Sequence, residues 1–141
     1  MTLIEGVRTF IQSFPQLRDK RIDIDCLSSK ADFYSVDSVM TEPIIKRYLD
    51  GSSVRQFTFL LSSRMYYGAN ISAQNANIAF FDSFSEWLDK QNALGNFPNL
   101  GEKRKVRSIE VSSSAYPFIV DSDTGLARYQ IQCKMIYFQE V

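Results

Sequence analysis

The segment of residues 44–62, IIKRYLDGSSVRQFTFLLS, predicts a β-hairpin that lies inside a larger sheet. Two apolar-rich arms, Ile44–Leu49 and Val54–Ser62, flank a turn with the dipeptide Asp50-Gly51, which readily takes the positive φ angles of tight turns. On the second arm, one side carries Arg55, Phe57, Phe59 and Leu61 and the other carries Thr58 and Leu60. Because apolar residues occur on both sides, this arm suits the middle of a sheet.

Two amphipathic helices are predicted, one before and one after the hairpin. In the first, apolar residues recur at helical spacing: Leu3, Ile4, Val7, Phe10, Ile11 and Phe14. Thr2 and Glu5 have the spacing of a capping box, and Pro15 is expected to end the helix. The second helix runs from Ser72 to Leu94, and Gly95 stops it. Its apolar stripe contains Phe80, Phe81, Phe84, Trp87 and Leu88, and its polar side contains Asp82, Glu86, Asp89 and Lys90.

Period-two alternation predicts further strands. Before the hairpin it runs through Ile22, Ile24 and Cys26 and, more weakly, through Tyr34, Val36, Ser38 and Met40. After the second helix we predict strands at Val106–Ser114 and Ala127–Phe138. In the last strand Tyr129, Ile131, Cys133, Met135 and Tyr137 face one way. The helices are too few to connect every pair of strands. We therefore expect an α+β fold, with a mostly antiparallel or mixed sheet and both helices on one face.

The composition limits the classes of function. The 141 residues are the size of one compact domain, which we expect to span the whole chain, 1–141. Sixteen basic and sixteen acidic residues cancel, so the excess positive charge that nonspecific nucleic-acid binding requires is missing. No signal-peptide pattern is present, and apolar runs such as Ile78–Phe81 are far shorter than the roughly 20 residues that cross a bilayer. We expect a soluble protein without membrane contact.

The sequence lacks a recognisable catalytic apparatus. Histidine is absent, which removes the commonest general base and the commonest metal ligand. Neither a Gly-rich phosphate loop nor a GxSxG elbow occurs. The only cysteines are Cys26 and Cys133, which either pair with each other or stay reduced. Both fall on the apolar side of predicted strands, which favours buried, reduced thiols. We therefore predict no enzyme activity, no cofactor and no metal site.

Two carboxylate patterns match metal sites only in part. Asp23 and Asp25 are two residues apart on a strand and would point the same way, but the alternation around them favours a solvated strand face. Asp121-x-Asp123-x-Gly125 begins like a calcium loop. Its glycine comes one position early, and Gln132 stands where a bidentate Glu is required. We predict a hairpin turn at residues 121–125.

Two groups of residues are candidates for binding. Lys103, Arg104 and Lys105, with Arg107 close behind, form a local basic cluster that either contacts phosphate or is a solvated run of charge. Tyr66 and Tyr67 follow Arg64 just past the hairpin and belong to no apolar stripe. Exposed Tyr and Arg are typical of interface hot spots, so these three residues are a candidate protein contact. The alternative is a loop folded back on its own sheet.

An ordered set of residues between Pro43 and Leu100 resembles a known family. The set consists of Pro43–Ser53, Arg55–Phe59, Ser63-Arg64, Tyr67-Gly68, Phe84–Leu88, Gln91, Gly95, Phe97-Pro98 and Leu100, followed by Arg128–Gln132 and Tyr137. It resembles the small minor capsid or tail-terminator proteins of long-tailed phages and prophages of Gram-positive bacteria. The resemblance is weaker before Arg21 and between Glu102 and Gly125. It rests on the order of the whole set of residues and not on any single motif.

The resemblance implies a fold, a function and partners. It implies an α+β fold with helices against one sheet face. It also implies a structural virion protein whose copies form a ring, expected to be a hexamer, at the head-proximal end of the tail tube. Such a ring stops tube growth and allows head joining, so the implied partners are further copies of the chain, the tail-tube protein and a head-completion or connector protein. The implied location is the host cytoplasm during assembly and then the virion tail or neck. DNA would pass through the lumen, which Lys103–Arg107 would then line.

Two other functions stay open. The chain is alternatively a head–tail connector subunit of the same particle or, more remotely, a small-molecule-binding domain or enzyme. A deep apolar pocket with convergent polar groups would favour the last of these. Flat contact surfaces and self-association would favour a structural role.

Overall fold

In the part of the chain that the structure describes, a mixed sheet of six strands and two α-helices form an α+β fold, as predicted. The computed structural model describes residues 2–25, 27, 33–66, 71–121 and 125–141, without the side chains of residues 66, 71–77 and 114–121. In chain order the elements are α1 (Leu3–Ile11), a 3-10 turn (Pro15–Leu17), β1 (Ile22–Ile24), β2 (Phe33–Val39), β3 (Ile44–Arg47), β4 (Ser53–Tyr66), α2 (Ile71–Leu94), β5 (Arg104–Asp121) and β6 (Leu126–Gln139).

The strand order is β1-β2-β4-β6-β5, and β3 pairs with β4 beside this path. β1 runs parallel to β2, and every other pair is antiparallel, so the mostly antiparallel prediction holds with one exception. β4 pairs with β2 and β3 along one edge and with β6 along the other. The prediction that the second hairpin arm lies in the middle of the sheet is therefore confirmed.

The turn of the predicted hairpin forms at Tyr48–Ser52. The Tyr48 N–H donates to the Ser52 carbonyl at 2.9 Å, and Gly51 has a φ of +93°. The Asp50 carboxylate accepts hydrogen bonds from the Ser52 hydroxyl at 2.6 Å and from the Ser52 N–H at 2.9 Å. These two bonds, the hydroxyl's first, lower the pKa of Asp50 below its ordinary value.

The first helix begins as predicted and ends earlier. Thr2 and Glu5 form the predicted capping box, in which each side chain accepts from the backbone N–H of the other. We expected the helix to continue to Phe14, but it ends at Ile11. The N–H groups of Ser13 and Phe14 bond to carbonyls three residues back, which tightens the last turn and leaves Pro15 to open the 3-10 turn.

Both helices pack on the same face of the sheet and contribute to one core. The sheet side of the core contains Ile22, Tyr34, Val36, Phe59, Leu61, Met65, Ile109, Ala127, Tyr129, Ile131, Cys133, Met135 and Tyr137. Phe10 of α1 contacts Trp87 of α2, with ring centroids 5.2 Å apart, and Phe14, just after α1, lies 5.6 Å from Phe84 and 5.3 Å from Trp87. The predicted apolar stripes of the second helix and of the last strand are thus confirmed as core.

The last two strands are longer than predicted. We expected them to span Val106–Ser114 and Ala127–Phe138, whereas β5 and β6 pair with each other from Arg104 and Gln139 to Asp121 and Leu126. The pairing has four irregularities, one of which falls between Pro117 and Ile119. A proline is tolerated at such an irregularity and within an edge strand, which is why its presence did not end β5.

Candidate interaction surfaces

The predicted basic cluster lies where β5 begins, against the end of β6. The Arg104 Nε donates to the Gln139 side chain at 3.1 Å, and the Lys105 ammonium lies 3.3 Å from the Glu140 carboxylate. The Arg107 guanidinium lies over the Phe138 ring, 5.3 Å from its centroid. Lys103 precedes the strand, and its carbonyl accepts from the Glu140 N–H. Whether these cations face DNA stays a prediction.

The sheet register joins this cluster to the hairpin, a relationship that was not predicted from the sequence. Lys46 on β3 pairs with Val54 on β4, Val54 pairs with Phe138 on β6, and Phe138 pairs with Lys105 on β5. Directly paired residues share a face of the sheet. These four side chains therefore form one row across four strands, on the face opposite the helices.

An aromatic pair connects the cations of this row. The Tyr48 ring centroid lies 6.2 Å from that of Phe138, and the Lys46 ammonium lies 5.2 Å from the Tyr48 ring centroid. The four groups thus form a chain of contacts in the order Lys46, Tyr48, Phe138 and Arg107, with a cation at each end. Each cation–ring contact is worth about 0.5–1 kcal/mol at an exposed site. We call Lys46, Tyr48, Lys105, Arg107 and Phe138 the basic–aromatic surface.

Exposed apolar side chains occur at the same end of the sheet as the basic–aromatic surface. Met40, Ile45 and Leu49 are 99%, 50% and 109% exposed. We predicted that Met40 continues the alternation of β2, but β2 ends at Val39. Met40 therefore lies outside the strand, and its side chain is not part of the core. Val141 is 71% exposed and lies close to Gly51. A shallow groove lined by residues 42–47 runs along β3 beside them.

The predicted contact at Arg64, Tyr66 and Tyr67 lies at the other end of the sheet. β4 was predicted to end at Ser62 but continues to Tyr66, because β6 pairs with it along its whole length. Arg64 is half-buried, and its partner in the strand register is Arg128 on β6. Tyr67 lies outside the described residues. Arg128 and Phe138 are ten positions apart on β6, which is roughly 30 Å of strand. The two predicted groups therefore do not form one site.

A polar network covers part of the helix-free face near Arg64. The Arg128 Nη2 lies 2.8 Å from the Asp37 Oδ2, and the Ser62 hydroxyl donates to the same oxygen at 2.9 Å. Ser35 donates to the other oxygen of Asp37. Ser35 and Ser62 are fully buried. This network ties β2, β4 and β6 together and was not predicted.

The carboxylates of Asp23 and Asp25 have different partners. Asp23 pairs with Arg21 at 2.8 Å, whereas Asp25 accepts from the Ser38 N–H at 2.7 Å. Within the described ranges, no group of three or more Asp, Glu, Cys or His side chains lies close enough together to hold a metal ion. Residues 122–124 of the calcium-like segment lie outside the described ranges.

One of the two predicted buried thiols is described. Cys133 is fully buried and unpaired with another cysteine, and burial raises the pKa of its thiol. This confirms the prediction for Cys133. Cys26 lies outside the described residues. A thiol held neutral in an apolar core is chemically inert.

The outer side of α2 carries a second group of exposed residues. Asp82, Glu86 and Asp89 recur at helical spacing and are exposed, as predicted, and the core residues lie on the opposite side. Ile78, which is 40% exposed, lies one turn before Asp82. Leu94, which is 62% exposed, ends the helix. We call Ile78, Asp82, Glu86 and Asp89 the α2 stripe.

Part of the basic–aromatic surface had a signal in the sequence. The core stripe of β6 occupies odd-numbered positions from Tyr129 to Tyr137, so Phe138 is an aromatic residue on the polar face. Such an out-of-phase ring indicates either a second packing layer or a contact site. Its pairing with Tyr48 and Lys46 had no local signal, because it depends on the order of the strands.

The sequence matches no protein-family model, and the comparison with curated proteins finds no relative. None of the helices in the described part of the chain combines the length and the apolar character that a membrane span requires.

Proposed function

We propose that this chain is a structural subunit of a bacteriophage tail, and that a ring of its copies, expected to be a hexamer, terminates the tail tube. In this role the subunit acts by binding alone. Its partners are neighbouring copies, the tail-tube protein and the head-completion protein. The proposal starts from the sequence resemblance between Pro43 and Leu100. An α+β fold with both helices on one sheet face agrees with what that resemblance implies.

The observation that carries the proposal is the concentration of exposed apolar side chains around the basic–aromatic surface. Met40, Ile45, Tyr48, Leu49 and Val141 are all exposed at this end of the sheet. Large exposed apolar residues that occur singly are normal, but a group rimmed by charged residues marks a contact site. Tyr and Arg in such a group are typical of protein interfaces. A subunit that works by assembly requires a surface of this kind.

Deletion of the reading frame in the phage or prophage that carries it tests the proposal. After induction, electron microscopy of the particles should show overlong or irregular tails separate from DNA-filled heads. Expression of the intact chain from a plasmid should restore joined particles of normal tail length, and expression of an early-stop version is the matched control.

Two other outcomes would give a different answer. Tails of normal length beside heads that fail to join would assign the chain to the head–tail connector. Infectious particles with normal tails would rule out both structural functions.

A further inference from the structure

Exposed large apolar side chains occur at two places in the described part of the chain. Met40, Ile45, Tyr48, Leu49 and Val141 are exposed at the hairpin end of the sheet, and α2 carries the exposed Ile78 on its outer side and the exposed Leu94 at its C-terminal end. A single interface between identical surfaces would need one such place. Two different places fit a head-to-tail contact, in which each copy presents one surface forward and the other backward.

The two places carry opposite charge. Lys46 and Arg107 form ring contacts on the basic–aromatic surface, and among the described residues no carboxylate pairs with either of them. Lys105 is neutralised by Glu140. On α2, the carboxylates of Asp82, Glu86 and Asp89 likewise have no cationic partner in the described part of the chain. Each surface thus presents charged groups that form no ion pair with the described residues of their own molecule.

The two surfaces face away from each other. The α2 stripe lies on the side of the helix opposite Phe81 and Phe84, which pack into the core. The basic–aromatic surface lies on the sheet face opposite the helices. They cannot meet within one molecule.

We propose that the basic–aromatic surface of one copy binds the α2 stripe of the next copy. Lys46 and Arg107 face the carboxylates of Asp82, Glu86 and Asp89, while the apolar side chains around Tyr48 pack near Ile78. The inference rests on the proposed ring and identifies the two surfaces that join its subunits. Because the surfaces differ, the contact closes into a ring when the rotation between copies allows it.

The charges favour a second copy over DNA as the occupant of the basic–aromatic surface. The chain as a whole has a net charge of zero, whereas phosphate binding gains from a surplus of basic residues. Of the four basic residues at residues 103–107, Arg104 is bonded to the Gln139 side chain and Lys105 is paired with Glu140. The exposed apolar residues beside them have no role against a phosphate backbone, but they would be buried between two proteins.

Charge reversal on either surface tests the proposal. The basic reversal combines Lys46→Glu with Arg107→Glu, and the acidic reversal combines Asp82→Lys with Glu86→Lys. Each is expected to abolish rescue of the deletion phage. Where the purified protein associates, each should also weaken self-association by about 100-fold in sedimentation velocity. Arg18→Glu with Lys20→Glu, two exposed cations away from both surfaces, matches the net charge change of the basic reversal and should leave assembly intact.

The decisive variant carries all four reversals in one chain. Its surfaces are again complementary to each other, so it should restore phage rescue and self-association. Circular dichroism checks that every variant is folded. A folded four-reversal chain that rescues no better than either reversal alone would overturn the proposal. So would a basic reversal that assembles normally but loses affinity for a double-stranded DNA fragment. Either result leaves the tail function standing, since that is tested by the deletion itself.

Discussion

The Arg128 guanidinium on β6 lies 2.8 Å from the Asp37 carboxylate on β2, although β4 runs between the two strands. Ser62 on β4 bridges them, since its hydroxyl donates to Asp37 at 2.9 Å and lies 3.3 Å from the Arg128 Nη2. The residue of β4 that pairs directly with Arg128 is Arg64, a like charge. The diagonal reach to Asp37 places a negative charge among these cations and fixes the alignment of three strands.

Replacing Asp37 with Asn should destabilise the fold. The Asp37 and Arg128 side chains are only 14% and 25% exposed, so Asp37→Asn leaves a partly buried cation without its anion. We expect a loss of about 1–3 kcal/mol in the free energy of unfolding, measured by urea denaturation. Asp23→Asn is the matched control, because its partner Arg21 is 76% exposed and such pairs contribute at most about 1 kcal/mol. Equal losses in the two variants would contradict this account of the network.

Replacing Phe14 with Ala should disrupt the packing of the segment that follows α1 against α2. The Phe14 ring packs against Phe80, Phe84 and Trp87, so its removal should cost about 3–5 kcal/mol. Trp87 is the only tryptophan, so its fluorescence reports this site and should shift to longer wavelength as water approaches the ring. Tyr48→Ala removes a partly exposed ring and should change stability by less than about 1 kcal/mol. An unchanged Trp87 emission in folded Phe14→Ala would argue against the aromatic contact.

Replacing Gly51 with Ala should weaken the hairpin turn that supports Tyr48. The φ of +93° disfavours an L side chain, and a Cβ there would lie 3.3 Å from the Val141 side chain. We expect a loss of about 1–2 kcal/mol in the free energy of unfolding. Gly95→Ala is the comparison, since its φ is +73° and its added Cβ would meet nothing within 4 Å. The prediction fails if Gly95→Ala proves the more damaging of the two.

The buried thiol of Cys133 should make stability depend on alkaline pH. Burial raises the pKa of Cys133 in the folded state, so above pH 8.5 the unfolded thiol ionises while the folded thiol stays neutral. The unfolded state then binds fewer protons, and stability should fall by about 1.4 kcal/mol per pH unit from this group. Denaturation of Cys133→Ala between pH 7 and 10 should show a correspondingly smaller decline. Identical pH profiles for the two proteins would contradict the assignment.

Local sequence patterns were sufficient for the elements and for most of the core. Periodicity predicted α2 within one residue of its start, and the β6 stripe from Tyr129 to Tyr137 is buried as expected. The predictions were wrong where the end of an element depends on contacts with residues distant in sequence. β4 continues past Ser62 because β6 pairs with it up to Tyr66. Met40 does not continue the alternation of β2, because β2 ends at Val39.

By itself, the sequence determined which residues form helices and strands and which of their faces are apolar, because a side chain's spacing along the chain fixes the side on which it lies. It also determined the absence of histidine and the balance of charge. Only the tertiary structure decided that Lys46, Tyr48, Phe138 and Lys105 lie together and that Arg64 lies far from them. Strand order and register depend on pairings between residues distant in sequence, and the spacing of residues within one strand does not indicate which strand it pairs with.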